Sequence, residues 1–140
     1  MTPVLLDTGV IVALLDRRER LHHRCVSALS GLTRTLATCE AVIAESCYSL
    51  RGLPGAPEAV LGNVESGAFA LPFAISHSAA AVRALMKKYR DVPADFADAC
   101  LIQLADELDT GAILTLDADF RLYRWRRTRP FELFIELDGV

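Results

Sequence analysis

Four carboxylates in this chain could act together: Asp7, Asp98 and Asp117, each near the start or end of an element of regular structure, and Glu45, about two turns into a helix. Asp7 closes the apolar run Pro3 to Leu6, and Asp117 closes another, Ala112 to Leu116. Asp98 lies in the first turns of a helical pattern, and Glu45 lies further along a different one. Clustered acids repel one another and each makes its neighbours harder to ionise. A hard divalent cation removes the conflict, because Mg2+ and Mn2+ prefer oxygen ligands and keep several waters. One or two such ions activate a water and stabilise the leaving oxygen of a phosphodiester. No histidine, serine or cysteine stands in a motif that offers a competing nucleophile.

These residues are of use to one another only if the chain brings them together. The stretch ADFADACLIQLADELDTGAILTLDADF, from Ala94 to Phe120, carries Ala97, Leu101, Leu104, Ala105 and Leu108 at helical spacing. Gly111 stops that helix and a short strand follows. Earlier in the chain, strand Pro3–Leu6 leads through a turn freed by Gly9 into a helix beginning at Val10–Leu15. A charged bend, Asp16–Arg20, precedes a helix over Leu21–Leu29. Thr35–Thr38 reads as a strand, with Thr38 capping a helix over Cys39–Leu50. Gly52, Pro54, Gly55 and Pro57 mark a loop before a short helix, Glu58–Val64. A strand over Ala68–Ile75, interrupted by Pro72, leads to a helix over His77–Tyr89 capped by Ser76. Asp91–Pro93 is a turn, and Glu132–Leu137 is the final strand.

Strands alternating with helices predict an α/β fold: a central, mainly parallel sheet of about four or five strands with helices on both faces. In such a sheet the carboxyl ends of strands and the N-termini of helices share one edge, where ligands bind. Asp7, Glu45, Asp98 and Asp117 converge on that rim, with Asp119, Asp95 and Glu40 close behind. Each also has an ordinary role open to it. Asp7 and Asp95 can cap helices, and Asp98 can serve a helix dipole. Asp117 and Asp119 compete for the place after the strand, where either can serve a turn. Glu45, flanked at helical spacing by Ala41, Val42 and Tyr48, borders a buried face and needs a partner there.

Composition narrows the class further. The chain has 140 residues, 52% hydrophobic and 24% charged, which fits one domain over residues 1–140 and excludes a disordered chain. A net charge of −3 excludes a polycation built to coat nucleic acid. No apolar run approaches the roughly 18 residues of a membrane span, and the first residues lack the basic segment of a signal peptide. Cys25, Cys39, Cys47 and Cys100 form neither a CxxC pair nor a zinc spacing with the histidines, and read as buried free thiols. The expectation is a cytoplasmic, reduced protein.

Arg121, Arg124, Arg126, Arg127 and Arg129 crowd the run RLYRWRRTR, interleaved with Tyr123 and Trp125. Such a run can hold phosphates and stack bases; it can equally be a solvated face whose aromatics pack into the core. Arg17, Arg18, Arg20 and Arg24 form a second basic cluster, read as a solvated helix face.

LLDTGVIVAL with Asp7, AVIAE with Glu45, DFADACL with Asp98 and LTLDADF with Asp117 together resemble the PIN-domain family, in order and spacing across nearly the full length. The short form resembles the VapC-type toxins of bacterial toxin–antitoxin pairs. The resemblance implies a PIN-like α/β/α fold and a ribonuclease whose Asp7, Glu45, Asp98 and Asp117 ligate Mg2+ or Mn2+, with Thr8 or Thr115 orienting them. It also implies a homodimer and an antitoxin whose tail covers the site. Asp119 is the reserve metal ligand, and the basic run itself, beside the expected metal site, offers Arg121, Arg124, Arg126 and Arg127 as the grip on RNA. Two rival readings within the fold are an RNA-processing nuclease without an antitoxin and a non-catalytic binding domain. A third, an aspartic protease, is suggested by the two DTG triplets at Asp7 and Asp109, but the second follows a helix rather than a strand.

Overall fold

The computed structural model describes residues 1–137. In chain order it contains β1 (Val4–Leu6), α1 (Thr8–Leu15), α2 (His22–Ser30), β2 (Leu36–Ala37), α3 (Glu40–Ser49), α4 (Ala56–Glu65), β3 (Phe69–Ala70), α5 (Ile75–Lys88), α6 (Phe96–Leu108) and β4 (Ala112–Leu114). A 3-10 turn (Ala118–Arg121) and the strands β5 (Arg124–Trp125), β6 (Arg129–Pro130) and β7 (Glu132–Leu133) follow. β5 and β6 pair as an antiparallel ribbon outside the main sheet.

The main sheet has five strands in the order β3-β2-β1-β4-β7, and every pairing in it is parallel. Flanking helices complete the expected α/β/α architecture: α1 packs with α2 and α3, α3 with α4, and α5 with α6. The chain builds outward from β1 through β2 to β3, then returns to place β4 on the other side of β1. That reversal opens a crevice between neighbouring strand ends, the usual ligand position in open parallel sheets. The ladder continues past β1, since the Asp7 amide donates to the Leu114 carbonyl at 3.0 Å.

Burial follows from this layering. A parallel strand covered on both faces needs a continuous apolar run rather than an alternating one. Val4, Leu5, Leu6, Ile113 and Leu114 are accordingly fully buried. The predicted stripe of α6 faces inward too, with Ala97, Leu101, Leu104 and Ala105 buried. Ala99, Cys100 and Ile102 are buried as well, so α6 is enclosed on more than one side.

Several local expectations give way. Thr38 does not cap α3, because it still belongs to the sheet: its amide donates to the Ala70 carbonyl and its Oγ1 to the Leu6 carbonyl. Ser76 lies inside α5, whose first turn is already closed by the His77 amide on the Ala74 carbonyl. The strand expected over Ala68–Ile75 shrinks to Phe69–Ala70, since Pro72 cannot donate to a ladder. The last strand shrinks likewise, from Glu132–Leu137 to Glu132–Leu133. Gly9 is not a turn residue but part of α1.

Candidate metal centre

Three acids of the predicted cluster stand at the start of a helix or turn, and that local role positions them; Glu45 instead lies inside α3. Asp7 is the N-cap of α1, with Oδ1 accepting from the Thr8 amide at 2.8 Å. Asp98 is the third residue of α6 and forms a reciprocal capping box with Asp95: the Asp98 amide donates to Asp95 Oδ1 at 2.9 Å. Asp117 starts the 3-10 turn, with Oδ1 accepting from the Asp119 amide at 2.9 Å. Helix N-termini favour negative charge, so the local fold offsets part of the repulsion that clustering creates.

The crevice brings three of these acids together. One carboxylate oxygen from each of Asp7, Asp98 and Asp117 lies within 4.8 Å of the others. Thr115, fully buried at the end of β4, ties two of them: its Oγ1 donates to Asp7 Oδ2 at 2.7 Å and accepts from the Asp117 amide at 3.0 Å. Glu45 lines the same cavity, of about 310 Å3, along with Asp95 and Thr8. Its Oε1 accepts from Thr8 Oγ1 at 2.9 Å. Thr8 and Thr115 therefore both hold acids of the cluster in place. Glu45 differs from expectation in its surroundings: it is exposed, and its neighbour Tyr48 is 66% exposed rather than part of a buried face.

Electrostatics mark the same spot. Burial pushes the Asp7 carboxyl up to about 6, against the hydrogen bonds from Thr115 and Thr8, and the charges of Asp117 and Glu45 add to the rise. Asp98 is pushed up to about 8, again by burial first and then by Asp95, Asp7 and Asp117. Burial, followed by the charges of Asp98, Asp119, Asp117 and Asp95, also raises the Tyr123 phenol beneath the rim. Among the described residues, none of the three clustered acids is ion-paired with a lysine or arginine. An octahedral Mg2+ about 2.1 Å from each ligand separates opposed oxygens by about 4.2 Å. Three hard oxygens within 4.8 Å, without a protein counter-charge, fit that ion.

The remaining predicted residues fall at different distances from this centre. Asp119 supplies a backbone amide to Asp117 and is outside the trio of close oxygens. Arg121 ends the 3-10 turn that begins at Asp117 and lines a shallow cavity with Leu133 and Glu136. Arg124 is half-buried, and its Nη1 donates to the carbonyls of Arg121 and Tyr123. Arg126 is not brought to the rim. Its amide donates to Asp106 and its guanidinium pairs with Asp109 at 3.3 Å, at the opposite end of α6. Eight residues of helix from Asp98 to Asp106 span roughly 12 Å. Arg127, the next residue, is exposed with φ 69°. Tyr123 and Trp125 pack inside, at 0% and 8% exposure, so neither stacks a base. Arg17, Arg18 and Arg20 are exposed, with Arg18 paired to Asp16.

The protease-like pair does not assemble. Asp109 is the left-handed C-cap of α6, at the far end of that helix from Asp98 and the carboxylate cluster. One feature beside the cluster escaped the sequence reading: Phe96, first residue of α6, is 45% exposed. Its signal was there, since Phe96 lies off the apolar stripe of that helix.

A parallel α/β/α sheet with three acids gathered at its switch point is the architecture of a nuclease-like domain, and the chain belongs to the PIN domain family, whose model matches residues 4–125. It is similar to Ribonuclease VapC26 of Mycobacterium tuberculosis (strain ATCC 25618 / H37Rv), with 29% identity over 116 residues, 81% of this chain and 86% of that protein. Its fold is similar to that of Mycobacterium tuberculosis VapC20, described as a sarcin-ricin loop cleaving toxin. There the TM-score is 0.80 at 16% identity, covering 91% of this chain and 99% of that one.

Proposed function

We propose that this PIN-domain chain is a metal-dependent endoribonuclease and the toxin of a VapBC-type toxin–antitoxin pair. The observation that carries the reading is the cluster of Asp7, Asp98 and Asp117, with an oxygen of each within 4.8 Å of the others and Glu45 on the wall of the same cavity. Similarity to a protein named as a VapC ribonuclease supports RNA as the substrate and an antitoxin as the partner. Bound Mg2+ or Mn2+ supplies the Lewis acid that activates water and steadies the leaving oxygen. The protein's share is to hold its own ligands still. Asp7 is fixed through both oxygens, by Thr8 and Thr115. Asp117 is fixed through Thr115 and the Asp119 amide. Glu45 is steered into the cavity by Thr8. Fixing ligands in this way raises metal affinity and activity. Asp119 then orients rather than ligates.

Of the basic run, Arg121 is the residue we assign to the RNA backbone, because it ends the 3-10 turn that Asp117 begins. Arg124 is spent on the carbonyls of Arg121 and Tyr123, and Arg126 is held at the far end of α6. A single catalytic domain over residues 1–140, acting as a homodimer in the cytoplasm, completes the proposal; none of the described helices is long and apolar enough to cross a membrane.

Incubating the purified protein with a panel of RNAs tests it. Cleavage in Mg2+ or Mn2+ that stops in excess chelator is the expected result. Cleavage that persists in chelator defeats the metal mechanism.

A further inference from the structure

Beside the carboxylates lies a second cavity, of about 550 Å3, between the first turns of α3, α5 and α6. Ala41, Ala44, Phe73, Ile75, Ser76 and Phe96 line it. We propose that this groove is a nucleobase subsite, in which Phe96 stacks the base next to the phosphodiester held at the carboxylates. The proposal rests on the ribonuclease reading above.

Continuity with the metal centre is the first support. Phe96 stands between Asp95 and Asp98 on α6, and both of those acids line the carboxylate cavity. Ala44, on α3, adjoins Glu45 in the same way. The two cavities thus share two helices as their common wall, and a chain with its phosphate in one has its neighbouring base beside the other. The second support is that two large apolar side chains lie exposed on this one groove, whose lining does not include the more exposed Tyr48. This chain buries Phe69, Phe120, Tyr123, Trp125 and Phe131, yet leaves Phe96 45% and Ile75 40% exposed at this groove. Single-stranded RNA is read by stacking splayed bases on aromatic side chains and bonding their edges. Ser76 and Glu40 supply the edge groups here: a hydroxyl that donates or accepts, and a carboxylate that accepts from an exocyclic amine.

Charge separates this occupant from a protein one. An apolar protein surface seated over Phe96 would offer no partner to the cation that the neighbouring acids hold. A polynucleotide instead brings its phosphate to the cation that the acids hold, and places only its base on the apolar wall. The volume of about 550 Å3 lies within the roughly 300–1,000 Å3 of small-molecule pockets.

The test uses a single-stranded RNA that the protein cleaves, and copies of it carrying one abasic nucleotide at successive positions. Removing the base adjoining the cut is expected to lower wild-type kcat/KM by roughly 5- to 100-fold, the range of base–aromatic stacking. Phe96→Ala should lose the same factor on intact RNA and nothing further on abasic RNA, while Phe96→Tyr restores the wild-type pattern. Losses that multiply in the Phe96→Ala protein, or no effect of any abasic position, overturn the subsite. A second readout needs no cleavage: RNA with 2-aminopurine at that position, bound to Asp98→Asn protein, should be quenched, and adding Phe96→Ala should abolish the quenching. If no RNA is cleaved in any divalent cation, the ribonuclease reading fails and the quenching alone decides the groove. Sedimentation in which Phe96→Ala turns a dimer into a monomer, with base dependence unchanged, assigns the groove to a second copy of the chain and overturns the proposal.

Discussion

The triplet Asp-Thr-Gly occurs twice, at Asp7 and at Asp109, and the two copies end in opposite situations. Asp7 follows a strand, starts a helix and is 7% exposed; Asp109 ends a helix in the left-handed region at φ 53°, with its side chain 61% exposed. Thr8 donates to a carboxylate across the cavity, whereas Thr110 donates to the Pro3 carbonyl and so ties α6 to the start of β1. Gly9 sits in a helix at ordinary distance from Leu116, while a side chain on Gly111 would run into the Trp125 ring. Identical residues therefore join the carboxylate cluster at one end of the sheet and tie elements together at the other. What differs is the element that precedes them. A strand of a parallel sheet delivers its last residue to the rim that also holds helix N-termini, and a helix delivers its last residue to the opposite rim.

The sharpest break of this symmetry is in catalysis. Loss of a group that merely orients a metal ligand costs about 10- to 100-fold in affinity or activity, so loss of a ligand costs more. Asp7→Asn should abolish metal-dependent RNA cleavage, while Asp109→Asn should leave it within about twofold, as expected of an exposed substitution away from the site. Cleavage assays on both proteins, with circular dichroism to verify folding, decide the matter. Equal losses in the two variants would contradict the separation.

In stability the order reverses. A Cβ on Gly111 would stand 2.1 Å from Trp125 Nε1 and 2.6 Å from Cε2. Trp125 is buried, and its Nε1 donates to the Pro130 carbonyl, so the ring has little room to move. Gly111→Ala should cost about 1–3 kcal/mol or more through overpacking. Gly9→Ala meets only Leu116, at 3.6 Å, and should lie between neutral and about 1 kcal/mol stabilising, because alanine is the better helix residue. Denaturant titration gives both values; a Gly111→Ala protein as stable as wild type would mean that the ring repacks.

The contrast also explains what could be read in advance. β1, β4 and the stripe of α6 were legible because a doubly covered parallel strand and an amphipathic helix leave strong periodic signatures. The acids were legible through the same elements, since a strand end or a helix start fixes which rim a residue reaches. Asp95 as a cap and Asp117 rather than Asp119 in the close trio follow from those positions. Tyr123, Trp125 and Arg126 were not legible. Where the segment after Asp117 travels depends on tertiary contacts: the Gly111 notch that admits Trp125, and the Asp106 and Asp109 oxygens that catch Arg126 at the far end of α6. No local period encodes such a path. The caps of α3 and α5 failed for a related reason, because a threonine or serine beside a helix start has alternative partners that only the folded sheet reveals.

The smallest effect concerns the metal-free protein, and its sign is diagnostic. Asp7 and Asp98 are raised from 3.8 to about 6 and about 8, chiefly by burial. Between the unfolded and folded values the native state binds more protons than the unfolded chain, so stability from these groups is fully present below about pH 4. It is lost as pH rises through 6 and then 8. In chelator, the melting temperature should therefore fall from pH 5 to pH 8, with buried Asp7 accounting for about 1–3 kcal/mol of the loss. Asp98→Asn should flatten the upper part of that fall, because the amide fills the same place without ionising. Mg2+ or Mn2+ at pH 8 should restore the wild-type melting temperature and leave Asp98→Asn comparatively unmoved, since the ion replaces the proton as the partner of the charge. A melting profile in chelator that is flat from pH 5 to 8, or one that rises, would show that the three acids do not share a strained, desolvated site. Asp7 would then be no different in kind from its exposed counterpart at the other end of the sheet.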